Sequence, residues 1–153
     1  MTHSDRLRSL GLDLIPAQTP IGNFRNAVRA GSMLYVSGQG PAKADGTLMK
    51  GKVGIDVTTA EAYEHARLTG LNLLSVVAES VGGLDQVKRV VKLLGLVNAA
   101  PDFAEHPAVI NGCSDLMVAV FGEAGQHARS AIGVGSLPNN ITVEIEAIFE
   151  LHN

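Results

Sequence analysis

The strongest constraint on the fold lies in residues 141–150, where apolar and polar side chains alternate with a period of two. The first set is Ile141, Val143, Ile145, Ala147 and Phe149, and the second is Thr142, Glu144, Glu146, Ile148 and Glu150. Successive side chains of a β-strand point to opposite faces, so this pattern predicts a strand with one buried face and one acidic face. We expect the acidic face to carry the chemistry of the chain.

The segment before this strand is predicted to be a second strand that carries an arginine. His127, Arg129 and Ala131 fall on one of its sides, and Ser130, Ile132 and Val134 on the other. A Leu-Pro-Asn-Asn turn joins the two segments. Antiparallel or mixed pairing between them would bring Arg129 close to Glu144 on one sheet face. An arginine beside a glutamate on a solvated face predicts a pocket for a small anion.

The N-terminal half predicts an arm followed by a β-hairpin. Residues 1–20 form the arm, with a short helix from Ser4 to Leu14 that Ser4 would cap, and a single domain follows over residues 21–153. The domain begins with strands at 23–29 and 33–37, which turn at Ala30-Gly31.

The rest of the chain predicts two amphipathic helices around one apolar strand. The first helix runs from Thr58 or Thr59 to Ser80 and the second from Pro107 to Val120, while Val87–Val97 is rich enough in branched residues to form a central buried strand. Cys113 faces the core side of the second helix. The order β-β-α-β-α-β-β predicts an α+β fold in which a mixed sheet has both helices on one face.

Composition excludes several classes of function. The chain of 153 residues is 46% hydrophobic and 18% charged, which is typical of one globular domain. A net charge of −3 with 4% aromatic residues and no tryptophan argues against nucleic-acid binding. A single cysteine excludes an intrachain disulfide, and no Cys/His spacing resembles a metal site, so the reducing cytoplasm is the expected location. The N-terminus lacks the apolar run of a signal peptide or membrane span.

Four short motifs resemble, in order, the landmarks of the RidA/YjgF family, whose older name is endoribonuclease L-PSP. They are Ile-Gly-Asn-Phe-Arg-Asn-Ala at 21–27, Val-Ser-Gly-Gln at 36–39, Ala-Arg-Ser at 128–130, and Leu-Pro at 137–138 followed by Val-Glu-Ile-Glu at 143–146. The resemblance implies a fold like that of trimeric chorismate mutase and a homotrimer with pockets between its subunits. It also implies a hydrolase, needing no cofactor or metal, that converts reactive enamine and imine intermediates to 2-keto acids and ammonia.

The resemblance also implies roles for individual residues. Arg129 would bind the carboxylate of a small substrate, and Glu144 would hold the attacking water. Backbone groups around Gly38 would line the pocket, and Asn111 on the second helix would contribute to it.

Three residues depart from the family pattern, which indicates a distinct subgroup. Phe24 replaces a tyrosine, His127 replaces a proline, and Ala131 replaces a cysteine. His127 would face the same side as Arg129 and could add a titratable group, and all three are candidate substrate contacts.

Simpler roles and other functions remain open at this level. Arg129 could form a structural salt bridge at a subunit contact, and Glu144 and Glu146 could be a solvated strand face. A non-catalytic trimer that binds a 2-keto acid or a similar carboxylate is the alternative to the deaminase. Ribonuclease activity is a third possibility, which the acidic composition disfavours.

Overall fold

Three helices and five strands make up the fold in a computed structural model that describes all 153 residues. The helices are α1 (His3–Ser9), α2 (Thr59–Val81) and α3 (His106–Phe121). The strands are β1 (Ala27–Ala30), β2 (Met33–Gln39), β3 (Val87–Asn98), β4 (Ala128–Val134) and β5 (Val143–Leu151).

The strands form one mixed sheet in the order β1-β2-β5-β3-β4. All neighbours are antiparallel except β3 and β4, which run parallel because α3 carries the chain back between them. Both long helices contact the sheet and each other, and they cover one of its faces. The predicted α+β class and the order of the strands and long helices are confirmed. The apolar strand β3 lies inside the sheet, between β5 and β4, but the middle strand is β5.

The predicted alternation is confirmed by burial from Val143 onward, but Thr142, which was predicted on the acidic face, is fully buried before β5 begins and lies 3.0 Å from Nδ1 of His65. Val143, Ile145, Ala147 and Phe149 lie in the core under the helices, while Glu144 and Glu146 point to the other side. Each large apolar side chain buried in this way contributes about 1.5–3 kcal/mol to folding. We call the uncovered side of the sheet the open face.

The predicted pairing of the last two strands is wrong. β3 lies between β4 and β5, and its Leu93 pairs with Arg129 while its Leu96 pairs with Glu144. Leu93 is fully buried and Leu96 is not, so the two pairs point to opposite faces of the sheet. Arg129 therefore lies on the helix-covered face and Glu144 on the open face. Alternation orders the side chains within one strand, but it does not determine which strands become neighbours.

The N-terminal region differs from its predicted detail. Thr2, and not Ser4, caps α1 through a reciprocal pair of hydrogen bonds with Asp5, and the helix ends at Ser9. Ser4 instead bonds the carboxylate of Asp85. Leu7 is buried in the main core, so α1 packs onto the domain beside α3. None of the helices has the length and apolar character that a membrane span requires.

The predicted hairpin is confirmed, but its first strand begins later than expected. β1 starts at Ala27, because pairing with β2 ends at the hydrogen bond from the Ser37 N–H to the Asn26 carbonyl. The preceding residues, including Phe24, leave the sheet and line a cleft.

The two long helices pack at a glycine. A Cβ built on Gly112 of α3 would lie 1.9 Å from the carbonyl oxygen of Tyr63 on α2, which no real structure tolerates. Close approach at this point lets α2 and α3 cover the sheet together.

We predict that Gly112→Ala destabilises the fold by about 2 kcal/mol, although alanine favours helix by about 1 kcal/mol over glycine. The clash with backbone forces the helices apart, and this outweighs the gain in propensity. Urea denaturation midpoints measure the change. Gly135→Ala is the control, because no atom lies within 4 Å of its built Cβ. Equal midpoints for the two variants would contradict this account of the packing.

Candidate functional site

Two clefts contain all of the predicted site residues except Ala131. The arginine cleft, of about 550 Å³, lies at the edge strand β4 and is lined by Asn111, Ser114, Asp115, Gln126, His127 and Arg129. The glutamate cleft, of about 400 Å³, is lined by Phe24, Asn26, Ser37, Gly38, Gln39 and Glu144 among others. Each cleft contains one of the two groups for which a chemical role is predicted.

Arg129 is held by neutral groups in the arginine cleft. Its Nη1 donates to Ser114 Oγ at 3.1 Å and its Nη2 donates to the Pro107 carbonyl at 3.3 Å. No carboxylate lies within ion-pairing distance of it. The nearby Asp115 accepts a hydrogen bond from Tyr63 instead. The guanidinium charge is therefore available to an anionic ligand.

His127 shares this cleft with Arg129, as predicted, and its tautomer is determined by its neighbours. Nδ1 lies 2.6 Å from the Gly125 carbonyl, which can only accept, so Nδ1 carries the proton. Nε2 is then the acceptor for the Ser114 hydroxyl at 2.9 Å. Burial lowers the pKa of His127, and the positive charge of Arg129 also lowers it. The hydrogen bond to the Gly125 carbonyl acts in the opposite direction, but the net shift is downward. The lowered pKa favours the neutral imidazole.

Asn111 and Ser114 belong to the same face of α3. Asn111 is the residue that the resemblance selected, whereas Ser114 was missed. Ser114 lies three residues after Asn111, which puts both side chains on one side of a helix. This spacing could have identified Ser114 from the sequence. Ala131 follows Arg129 on the same side of β4, but it packs against the core and does not line the cleft.

The glutamate cleft is shaped by a bulge in β2. The pairing of β2 with β5 shifts register between Val36 and Gln39, which brings Gly38 against Glu144. A Cβ built on Gly38 would lie 2.7 Å from Glu144 Oε2, so only glycine leaves the carboxylate in its place. Phe24 lies at the cleft about half exposed.

Burial raises the pKa of the Glu144 carboxyl, and the negative charge of Glu146 raises it further. No hydrogen bond to protein stabilises the ionised form of this half-buried side chain. A carboxylate with a raised pKa is a better proton acceptor than a fully solvated one.

The clefts are too far apart to act on one small ligand within a single chain. Along β3 the partners of Arg129 and Glu144 are three residues apart, which is about 10 Å, and the two strands are separated by about 10 Å across the sheet. The two side chains also point to opposite faces. One chain therefore presents Asn111, His127 and Arg129 as one group, and Phe24, Gly38 and Glu144 as another. No cluster of three or more His, Cys, Asp or Glu that could hold a metal ion is found.

We predict that Glu146→Gln lowers the pKa of Glu144, because it removes the neighbouring charge that opposes ionisation. The pH titration of the Glu144 side-chain carboxyl resonance by NMR measures this shift. Glu150→Gln, four residues farther along β5, is the control and leaves the titration of Glu144 unchanged. A titration that moves upward in Glu146→Gln would show that the two carboxylates do not repel each other.

Comparison with known proteins identifies the family. The family model described as "YjgF/chorismate mutase-like, putative endoribonuclease" matches residues 4–151. Protein TCP17 of Trypanosoma cruzi is 44% identical over 148 residues, which are 96% of this chain and 92% of that protein. The 2-iminobutanoate/2-iminopropanoate deaminase of Dermatophagoides farinae is 30% identical over 137 residues, 86% of this chain and 88% of that protein.

Solved structures agree with the fold. The protein Atu1372 from Agrobacterium tumefaciens, of unknown function, superposes with a TM-score of 0.91 at 42% identity, covering 98% of this chain and 92% of that one. A "putative endoribonuclease" from Shewanella oneidensis MR-1 superposes with a TM-score of 0.95 at 34% identity, covering 99% and 100%. With its mixed sheet, paired helices and ordered motifs, the chain belongs to the YjgF/RidA family of chorismate mutase-like proteins.

Proposed function

We propose that this protein hydrolyses reactive 2-imino and 2-enamino acids to 2-keto acids and ammonia at a site formed between copies of the chain. The observation that supports this most is the division of Arg129 and Glu144 between two open clefts, each lacking the other's group. A second copy can supply the missing half. The deaminase from Dermatophagoides farinae, 30% identical, has a name that gives the same reaction for that protein.

Arg129 binds the substrate carboxylate in this proposal. Its guanidinium pairs with no carboxylate of the chain, and its planar fork matches a carboxylate in a bidentate geometry. This contact positions the imine carbon for attack, and the neighbouring subunit of the proposed assembly would exclude bulk water from it.

Glu144 orients the attacking water and takes its proton. The oxygen of this water bonds to the carbon of the protonated imine while its proton moves to Glu144, and the C=N electron pair moves to nitrogen to give a carbinolamine. Glu144 then gives this proton to the nitrogen. Ammonia leaves as the C=O bond forms, and Glu144 accepts the hydroxyl proton. A protonated imine is already an electrophile, so the reaction needs no metal or organic cofactor.

A homotrimer is the assembly that we propose for this site. The open face exposes Tyr35 and Ile132 at 47% and 48%. On the same face the apolar Ile148 and Leu94 pair with the charged Lys92 and Glu146. A face of this mixed character is typical of a surface that a partner covers. Its contact with other copies would bring the arginine cleft of one chain to the glutamate cleft of the next.

We predict that Arg129→Ala and Glu144→Gln each reduce imine hydrolysis by about 100-fold or more, because one removes the anchor and the other removes the proton acceptor. An amino acid oxidase generates 2-iminobutanoate, and the loss of this imine is followed with and without the protein. Arg8→Ala is the matched control, since Arg8 is an exposed arginine on α1 outside both clefts.

Wild-type protein that is no faster than Arg129→Ala across several imines would exclude the deaminase. Binding without turnover is the second candidate function. Phe24 favours it, because an apolar side chain lines the glutamate cleft where the resemblance expects a hydroxyl. Stabilisation of the fold by 2-keto acids that depends on Arg129, in the absence of any turnover, would establish it.

We predict that mixing two inactive variants restores activity. When Arg129→Ala and Glu144→Gln chains are unfolded together and refolded, random pairing around a closed ring makes about a quarter of the sites intact. The assembly should also have a mass near three times the 16.0 kDa of one chain, as measured by light scattering.

Each variant refolded alone is the control for the mixture. Activity of the mixture no higher than the mean of the two separate samples would show that the site does not combine residues from different chains.

A further inference from the structure

Ser114 and His127 form a pair that the deaminase reaction does not use. We propose that Ser114 is a nucleophile activated by His127, and that the arginine cleft hydrolyses short-chain carboxylic esters through an acyl-serine intermediate. The proposal rests on the geometry of Ser114, His127, Gly125 and Arg129 within one chain, and it is independent of the imine reaction.

The hydrogen bonds around His127 give it the orientation of a general base. Its Nδ1–H donates to the Gly125 carbonyl at 2.6 Å, which leaves the Nε2 lone pair directed at the Ser114 hydroxyl 2.9 Å away. A nucleophile bonded to a base, with the base oriented by a third group, is the arrangement that activates serine in unrelated hydrolases. Here a backbone carbonyl takes the place of the usual carboxylate.

Arg129 supplies positive charge on the other side of the hydroxyl. Its Nη1 donates to Ser114 Oγ at 3.1 Å, which stabilises developing negative charge on that oxygen. When Oγ bonds to a carbonyl carbon, the carbonyl oxygen comes within reach of the same guanidinium. Asn111 lines the cleft one helical turn away and offers a further donor.

The lining of the cleft defines the substrate class. Six of its eight residues are polar, and the cleft is open to solvent. A short acyl group on a small polar alcohol fits such a cleft, whereas a long acyl chain would find no apolar channel. The neighbouring Cys113 is not the nucleophile, because it is fully buried and burial raises the pKa of its thiol to about 12.

The proposed steps balance without a further reactant. Ser114 Oγ bonds to the ester carbon as its proton moves to His127 Nε2, and this proton passes to the alcohol when the ester C–O bond breaks. Water then attacks the acyl-serine while His127 takes its proton. The bond from Oγ to the acyl carbon breaks, Ser114 regains the proton from His127, and the acid is released.

Labelling with a fluorophosphonate tests the nucleophile, and hydrolysis of 4-nitrophenyl acetate tests turnover. We expect the phosphonyl group on Ser114 by peptide mapping, with labelling and hydrolysis both reduced about 100-fold in Ser114→Ala and in His127→Gln. The labelling rate should rise with pH and reach its plateau at a lower pH than an ordinary histidine would give, because burial lowers the pKa of His127.

Ser80→Ala is the matched control, since Ser80 is an exposed serine of α2 outside the cleft, and it should keep the wild-type rates. Circular dichroism verifies that each variant is folded. The proposal is overturned by a label found only on other residues, by equal rates in wild type and Ser114→Ala, or by a labelling rate that does not depend on His127.

Discussion

Burial of one face of β5 is the constraint on which the rest of the structure depends. This strand lies between β2 and β3, so its apolar side chains contact both long helices, and its pairing determines the register of the sheet on either side. The same alternation that buries Ile145 and Phe149 necessarily directs Glu144 and Glu146 away from the core. The position of the acidic group is therefore a direct consequence of how the core is built.

The crossover through α3 places Arg129 on the helix-covered face of the sheet, opposite to the face that carries Glu144. Because β4 pairs in parallel with β3 at the edge of the sheet, its inward-facing residues meet the surface of α3. There Arg129 contacts Ser114 and Pro107. A sheet with one covered face thus separates a cationic cleft from an acidic one. Such a separation gives each chain two complementary surfaces, which is the condition for a site shared around a closed ring.

Partial burial shifts the pKa values of His127 and Glu144 in the directions that favour the neutral form of each group. It lowers the pKa of His127 and raises the pKa of Glu144, and in each case a neighbouring like charge adds to the shift. A neutral His127 has a free lone pair that can accept a proton, and a raised pKa makes Glu144 a stronger base than a solvated carboxylate. The hydrogen bond from His127 to the Gly125 carbonyl also determines which ring nitrogen is basic, a property that no pKa alone defines.

The sequence by itself determined the elements, because periodicity, capping residues and glycine stops act over a few residues. The spans of α2 and α3 and the two faces of β5 were predictable for this reason, and the ordered motifs selected Gly38, Arg129 and Glu144. Only the tertiary structure decided which strands became neighbours, because the apolar β3 can pair with several partners and the lowest free energy depends on the whole core. That choice put Arg129 and Glu144 on opposite faces, and it brought Ser114 to His127 from another element.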